Sequence, residues 1–439
     1  MSVTGPDSTH PTRRRRPASL VLPPPAGGAR PIWATRVVFA GNGVLFATWV
    51  SRLPATRDRL GIDEAQLGLA LLFLGLGSLL AMPWTGRVVN RVGARRVLLS
   101  VIALGVVAFP GLALAPTLPV LAAALFVFGA ASGVWDVAMN IAGNAVERMA
   151  GRTLMPGFHA AWSIGGILGA GLGAAAAGAG VGTTVQFAAA AAIVGAVALV
   201  CSAVLPVARD EPGEHAGGPR EHSGGPGEHS GGPGAGAEQP AGHLGAVSAP
   251  AAPSPALPGL RAARSRVVAA ALLTLVAAWA EGSANDWLAL LLTDERAADP
   301  AGAAAGFTVF TSAMTIGRLA GGRAVDRFGV VRVLRTGSLL ATAGVLLLLA
   351  VPTLSVGYPA AAAWGLGVSV AFPLAISAAG RSPVRPARAI SVASTTGYAA
   401  FLIGPPVIGW LATEFGLGNA LWLVVVMTLG IGLLARRAA

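Results

Sequence analysis

The stretch "GRVVNRVGARRV", Gly86 to Val97, returns as "GRAVDRFGVVRV", Gly322 to Val333. The copies agree without gaps at Gly, Arg, Val, Arg, Gly, Arg and Val, at an offset of 236. A second pair, "HAAWSIG" (His159 to Gly165) and "YAAFLIG" (Tyr398 to Gly404), repeats at an offset of 239. Two matches at nearly equal offsets indicate a duplicated unit. Each arginine-rich stretch lies between the second and third apolar run of its half, and each later pair opens the fifth.

Those runs set the fold class. The chain has 439 residues, 54% hydrophobic and only 11% charged, where a soluble protein carries about a quarter charged residues. Twelve apolar runs are legible: 33–53, 65–85, 97–115, 118–142, 158–180, 183–206, 267–292, 303–322, 333–352, 358–380, 389–413 and 418–435. An apolar helix of about 20 residues spans the hydrocarbon core. The expectation is an all-α membrane protein of twelve transmembrane helices in two pseudo-symmetric six-helix bundles, 31–206 and 265–439. Repeats of this kind, with substrate at their interface, mark secondary transporters. A basic tail, 1–30, precedes the first bundle. A Gly/Pro-rich linker, 207–264, separates the two and contains "EHAGGPR EHSGGPG EHSGGPG". Gly and Pro at this density build no packed core. Its His215, His222 and His229 are too widely spaced on a flexible chain for a good metal site, and a tolerated repeat is the plainer reading.

The net charge of +12 comes from 31 basic residues, all Arg. With the N-terminus in the cytoplasm, 27 fall inside and only Arg52, Arg57, Arg59 and Arg296 fall outside. This is the positive-inside asymmetry. It explains the charge without nucleic acid and places both termini in the cytoplasm, in the plasma membrane. Arg13–Arg16 serve as a topology signal or touch anionic lipid. The apolar "SLVL" after them is too short for a signal peptide. Cys201 is the single cysteine, so no intrachain disulfide forms.

A charge inside a span is costly, faces the protein interior or a wet cavity, and marks function. Asp136, Glu281 and Asp286 qualify. Asp136 and Asn140 share one helix face, as do Glu281 and Asn285; Asn144 extends the first face. Counting from the run ends puts Asp136 about 10 Å from the inner end and Glu281 about 20 Å in. His159 suits proton relay. These four titratable groups, Asp136, Glu281, Asp286 and His159, are the candidate proton carriers. Asn42, Asn140 and Asn285 are candidate hydrogen-bonding partners of a polar substrate, with Trp49, Trp162, Trp287 and Tyr398 to flank it.

The repeated loops resemble the signature G-x-x-x-D-R-x-G-x-R-R of the major facilitator superfamily. The first copy offers Gly86, Asn90, Arg91, Gly93 and Arg96; the second offers Gly322, Asp326, Arg327, Gly329 and Arg332. In that family the motif aspartate binds the halves together on the cytoplasmic side and helps gate access. Asn90 in the first copy keeps hydrogen bonding and loses the charge. Within the superfamily the chain is similar to the fucose-permease-like proton symporters and a bacterial branch near them. Those carry an acid four residues before an asparagine in span 4, here Asp136 and Asn140. They carry a glutamate before a Gly/Ser turn in span 7, here Glu281 before Gly282 and Ser283. The chain departs in having Ile141 where they have Pro, and no acid inside span 1.

The resemblance implies a secondary transporter, coupled to protons or sodium, that moves a small polar solute such as a sugar or polyol. The alternative is a proton-driven exporter of drugs or metabolites. Span 5, "SIGGILGAGLG", lacks the Gly-Pro antiporter motif, and "GPP" (Gly404 to Pro406) sits in span 11 instead. No constellation of an enzyme, metal centre or cofactor site lies on any loop. The expected partners are the substrate, the coupling ion and the lipid bilayer, and a monomer suffices.

Overall fold

A computed structural model describes residues 29–208, 258–298, 300–382 and 385–438. The tail arginines Arg13–Arg16 and the linker histidines lie outside these residues. The described secondary structure is helical. The first half comprises α1 (Ala29–Val50), α2 (Leu53–Leu60), α3 (Glu64–Val92), α4 (Ala94–Leu114), α5 (Leu118–Ala150), α6 (Met155–Gly178) and α7 (Thr183–Ala203). The second comprises α8 (Pro258–Arg296), α9 (Pro300–Phe328), α10 (Val330–Ala350), α11 (Leu354–Val368), α12 (Ala371–Gly380), α13 (Pro386–Phe415), α14 (Leu417–Ala420) and α15 (Trp422–Ala438).

Among the described residues nine helical segments are long and apolar enough to cross a membrane, one of them covering α11 and α12 together. The runs assigned to spans 1, 8 and 11 form α1, α9 and α13, which are as long but diluted by Gly, Ser, Thr and Arg. Two departures from the sequence reading matter. Helix α5 continues past the apolar run to Ala150, so Asp136 lies about 20 Å along the helix from that end, twice the sequence estimate. The tenth run breaks at Ser369 and Val370 into α11 and α12. Gly365 and Gly367 precede the break, and glycine and β-branched residues disfavour a continuous helix there.

The duplication is visible in the packing. α3 packs on α5 as α9 packs on α11, α1 on α6 as α8 on α13, and α4 on α7 as α10 on α15. Lipid supplies no hydrophobic drive between helices, so close packing of small residues takes its place. A Cβ on Gly129 would sit 2.1 Å from the Leu74 carbonyl oxygen, and one on Gly365 would sit 2.3 Å from that of Phe310. Both contacts need glycine, and both follow the repeat offset.

The halves meet through α3 against α13 and α6 against α9. Hydrogen bonds between them gather at the end that carries the arginine-rich loops. Ser391 Oγ donates to the Met82 carbonyl at 2.6 Å, and the Thr153 amide donates to Asp326 Oδ1 at 3.1 Å. Arg148 donates to the Gly380 carbonyl at 3.1 Å and also to Asn144 Oδ1. The motif glycines Gly86 and Gly322 lie against backbone of the opposite half, at Ala387 and Thr153. At the other end, Arg52 donates to Val181 O at 2.7 Å and Arg59 to Ala115 O at 2.6 Å. These arginines satisfy carbonyls at and just beyond helix ends. Arg57 pairs with Asp58 and Arg296 with Glu295. Each of the four sequence exceptions to the charge asymmetry therefore has a local partner.

Candidate transport site

The polar residues of the spans form one chain of contacts across the middle of the bundle. It starts on α5. Asp136 is buried, and its Oδ2 has no hydrogen-bond partner. Asn140, one turn on, is fully buried and donates from Nδ2 to the Asp136 carbonyl at 2.9 Å. That bond orients the amide and turns Oδ1 toward His159 Nε2, 3.2 Å away on α6. An amide oxygen only accepts, so Nε2 carries the proton here. The imidazole is held edge-on between Phe39 of α1 and Phe372 of α12, with centroids 5.3 and 5.5 Å away. Phe372 belongs to the second half, so His159 sits at the seam. Tyr398 of α13 is half-buried and meets Phe401 edge-on.

The second part of the chain was not read from the sequence. Arg318 of α9, counted there among the inner arginines, is buried within the bundle at 3% exposure. It lies about 15 Å along the helix from Phe328. Its Nη2 lies 3.0 and 2.8 Å from the two carboxylate oxygens of Glu281 on α8. Its Nη1 donates to Ser163 Oγ on α6 at 2.7 Å, and its Nε to the Ser369 carbonyl at 3.2 Å. The residue four positions on is Pro373, which has no N–H to give that carbonyl, and Arg318 satisfies it. Ser163 Oγ in turn donates to the His159 carbonyl at 3.2 Å. A signal for Arg318 was available. A buried carboxylate such as Glu281 needs a compensating partner, and Arg318 is an arginine inside an apolar run.

The other candidates divide. Asn42 accepts a hydrogen bond from Trp162 Nε1 at 2.9 Å, joining α1 to α6 beside the chain of contacts. Trp49 is fully buried and packs edge-on against Phe187. That places it among Phe109, Phe128 and Phe187, inside the first half. Trp287 packs over Gly409 of α13. Asn285 is one turn beyond Glu281 on the same face and is exposed, as is Asp286. Both lie farther along α8 than Glu281, on the side away from the arginine-rich loops.

Chemically, the site offers one buried carboxylate with a free oxygen, one neutral-capable imidazole, and one compensated ion pair. No group of three or more His, Cys, Asp or Glu suited to a metal occurs among the described residues.

Comparison with known proteins bears on the family and the fold. The family model described as Major Facilitator Superfamily matches residues 32–296 and 270–438. An uncharacterised MFS-type transporter of Yersinia pestis is 34% identical over 405 residues, covering 92% of this chain and 94% of the relative. The membrane protein MosC of Rhizobium meliloti is 26% identical, covering 95% and 92%. Among solved structures, the transporter FucP in its outward conformation superposes with a TM-score of 0.69 at 17% identity, covering 93% and 98%. The human organic anion transporter MFSD10 gives the same TM-score at 15% identity, covering 94% and 100%. At such identities the structural likeness concerns the fold.

Proposed function

Because this chain belongs to the Major Facilitator Superfamily and is a multi-pass membrane transporter, we propose that it couples the movement of a small polar solute to protons through Asp136. The two bundles are 31–206 and 265–439, the arginine-rich loops face the cytoplasm, and both termini lie on that side of the plasma membrane. The observation that carries the reading is the unpartnered, buried Oδ2 of Asp136 at the seam between the halves. A carboxylate in that position is neutralised by a proton far more cheaply than it is held as a charge. Glu281 is the contrasting acid, because Arg318 already compensates it.

The packing supports the following cycle. Asp136 takes a proton while the bundle is closed at the arginine-rich end. Asn140 and His159 relay the occupancy of Asp136 to the α6 seam. Asn42, Asn140 and Asn285 supply hydrogen bonds to a sugar- or polyol-like substrate, and Tyr398 approaches from the second half. Rocking of the halves breaks the contacts of α3 with α13 and of α6 with α9. It exposes the same groups to the other side.

The test uses purified protein in liposomes loaded with a pH-sensitive dye. A panel of sugars and polyols is added outside. A transported compound acidifies the lumen of wild-type liposomes, and Asp136→Asn abolishes the proton signal. Solute-driven proton movement that persists in Asp136→Asn removes Asp136 from the proton path.

A further inference from the structure

The central site contains a buried cation, Arg318. Every nitrogen of the Arg318 guanidinium is engaged: Nε by the Ser369 carbonyl, Nη1 by Ser163 Oγ and Nη2 by both oxygens of Glu281. Guanidinium is the side chain best suited to gripping a carboxylate or phosphate through paired N–H groups. Here Glu281 is the carboxylate it grips. The Glu281 side chain is 12% exposed against 3% for Arg318. On the same face of α8, one turn away, Asn285 is exposed. Glu281 is therefore the less buried member of the pair, with the exposed Asn285 one turn beyond it. Exposed Asp286, farther along α8, adds negative charge.

We infer that Glu281 is the charge-selectivity residue of the site. By occupying Arg318 it excludes anions, so the solute is neutral or cationic, and removing it turns Arg318 into an anion subsite. An incoming carboxylate would have to displace the like-charged Glu281 from Arg318, and like charges at close range oppose that. A neutral hydroxyl or an ammonium meets no such barrier. Glu281→Gln keeps the shape and removes the charge, which leaves the Arg318 fork uncompensated and open to a small anion. This inference rests on the transport site assigned above, and its test is independent of knowing the solute.

The full-length protein in detergent is titrated with sodium acetate against sodium chloride at constant ionic strength, and thermal unfolding is followed. Binding to the folded state raises apparent stability. The wild type gives superimposable curves in the two salts. The melting temperature of Glu281→Gln rises with acetate concentration, and the double variant Glu281→Gln/Arg318→Met loses that response. If Glu281→Gln fails to purify in chloride, preparation in acetate is the rescue. Recovery there supports the inference, and failure in both salts overturns it. A folded Glu281→Gln without an acetate response also overturns it, as does a wild type stabilised by acetate. A second arm compares a hexitol, an aminohexose and a hexonate on the wild type. Stabilisation by the hexonate contradicts the charge filter. Silence of all three, with a normal acetate result, contradicts the polar-solute reading and leaves the filter standing.

Discussion

At the repeat offset of 236, Asp136 falls on Phe372, Asn140 on Ile376 and Asn144 on Gly380. In the other direction, Arg318 falls on Met82, and at an offset of 239 Glu281 falls on Asn42. The contacts of the paired glycines keep these correspondences. Gly43 meets the Trp162 backbone in the first half, and Gly282 meets the Phe401 ring in the second. Duplication has preserved the glycines that let helices touch, while the titratable side chains have separated. The first half holds a lone acid with a free oxygen. The second holds an acid and a base that cancel. A lone acid can change its proton occupancy without disturbing a partner, whereas a compensated pair resists change. On the proposed reading, coupling belongs to the first half and charge discrimination to the second.

The comparison breaks most visibly if one member of the second-half pair is removed. Arg318→Met leaves Glu281 as a buried, uncompensated charge and is expected to cost about 3–5 kcal/mol. The double variant Arg318→Met/Glu281→Leu should recover most of the loss, as read by thermal unfolding of the purified protein. Equal destabilisation by single and double variants would mean that the pair is not the source.

The frame shared by the halves makes the next prediction. Gly129→Ala and Gly365→Ala each push a methyl into a backbone carbonyl and should cost about 1–3 kcal/mol apiece. Similar losses at both positions sharpen the claim of equivalent frames, and a tolerated alanine at either one breaks it.

The seam itself responds less. Ser163→Ala deletes one hydrogen bond between Arg318 and α6, worth about 1 kcal/mol inside a membrane protein. The expected result is a shift toward opening at the arginine-rich end, seen as faster labelling of a cysteine introduced at Thr153 in a Cys201→Ser background. Unchanged labelling would show that this bond does not hold the seam. Smallest is Asp326→Asn, which gives the second loop the residue that the first already has at Asn90. Loss of the charge on the bond to the Thr153 amide should cost about 1 kcal/mol or less, in the same labelling assay.

Much of the frame was legible in the sequence, because apolar runs, arginine placement and two spaced repeats are local patterns. The break at Ser369 was not, since Gly365 and Gly367 resemble the small residues that pack many membrane helices. Asp136, Asn140 and His159 were each singled out, and the structure joins them in contact. Trp49 shares a helix face with Asn42 but faces Phe187, because neighbouring helices rather than the face alone decide what a tryptophan touches. Arg318 was hidden by its neighbours Gly317, Gly321, Gly322 and Arg323, which read as the approach to an inner loop. Its pairing with Glu281 spans 37 residues and depends on the antiparallel packing of α8 and α9.

The central claim is that the proton rides on Asp136 and not on Glu281. It is tested most directly by infrared difference spectroscopy of the carboxyl stretch between acid and neutral buffer. The account predicts a protonated-carboxyl band in the wild type that disappears in Asp136→Asn and persists in the paired-acid variant Glu281→Gln. A band that survives Asp136→Asn and vanishes with Glu281→Gln would contradict it.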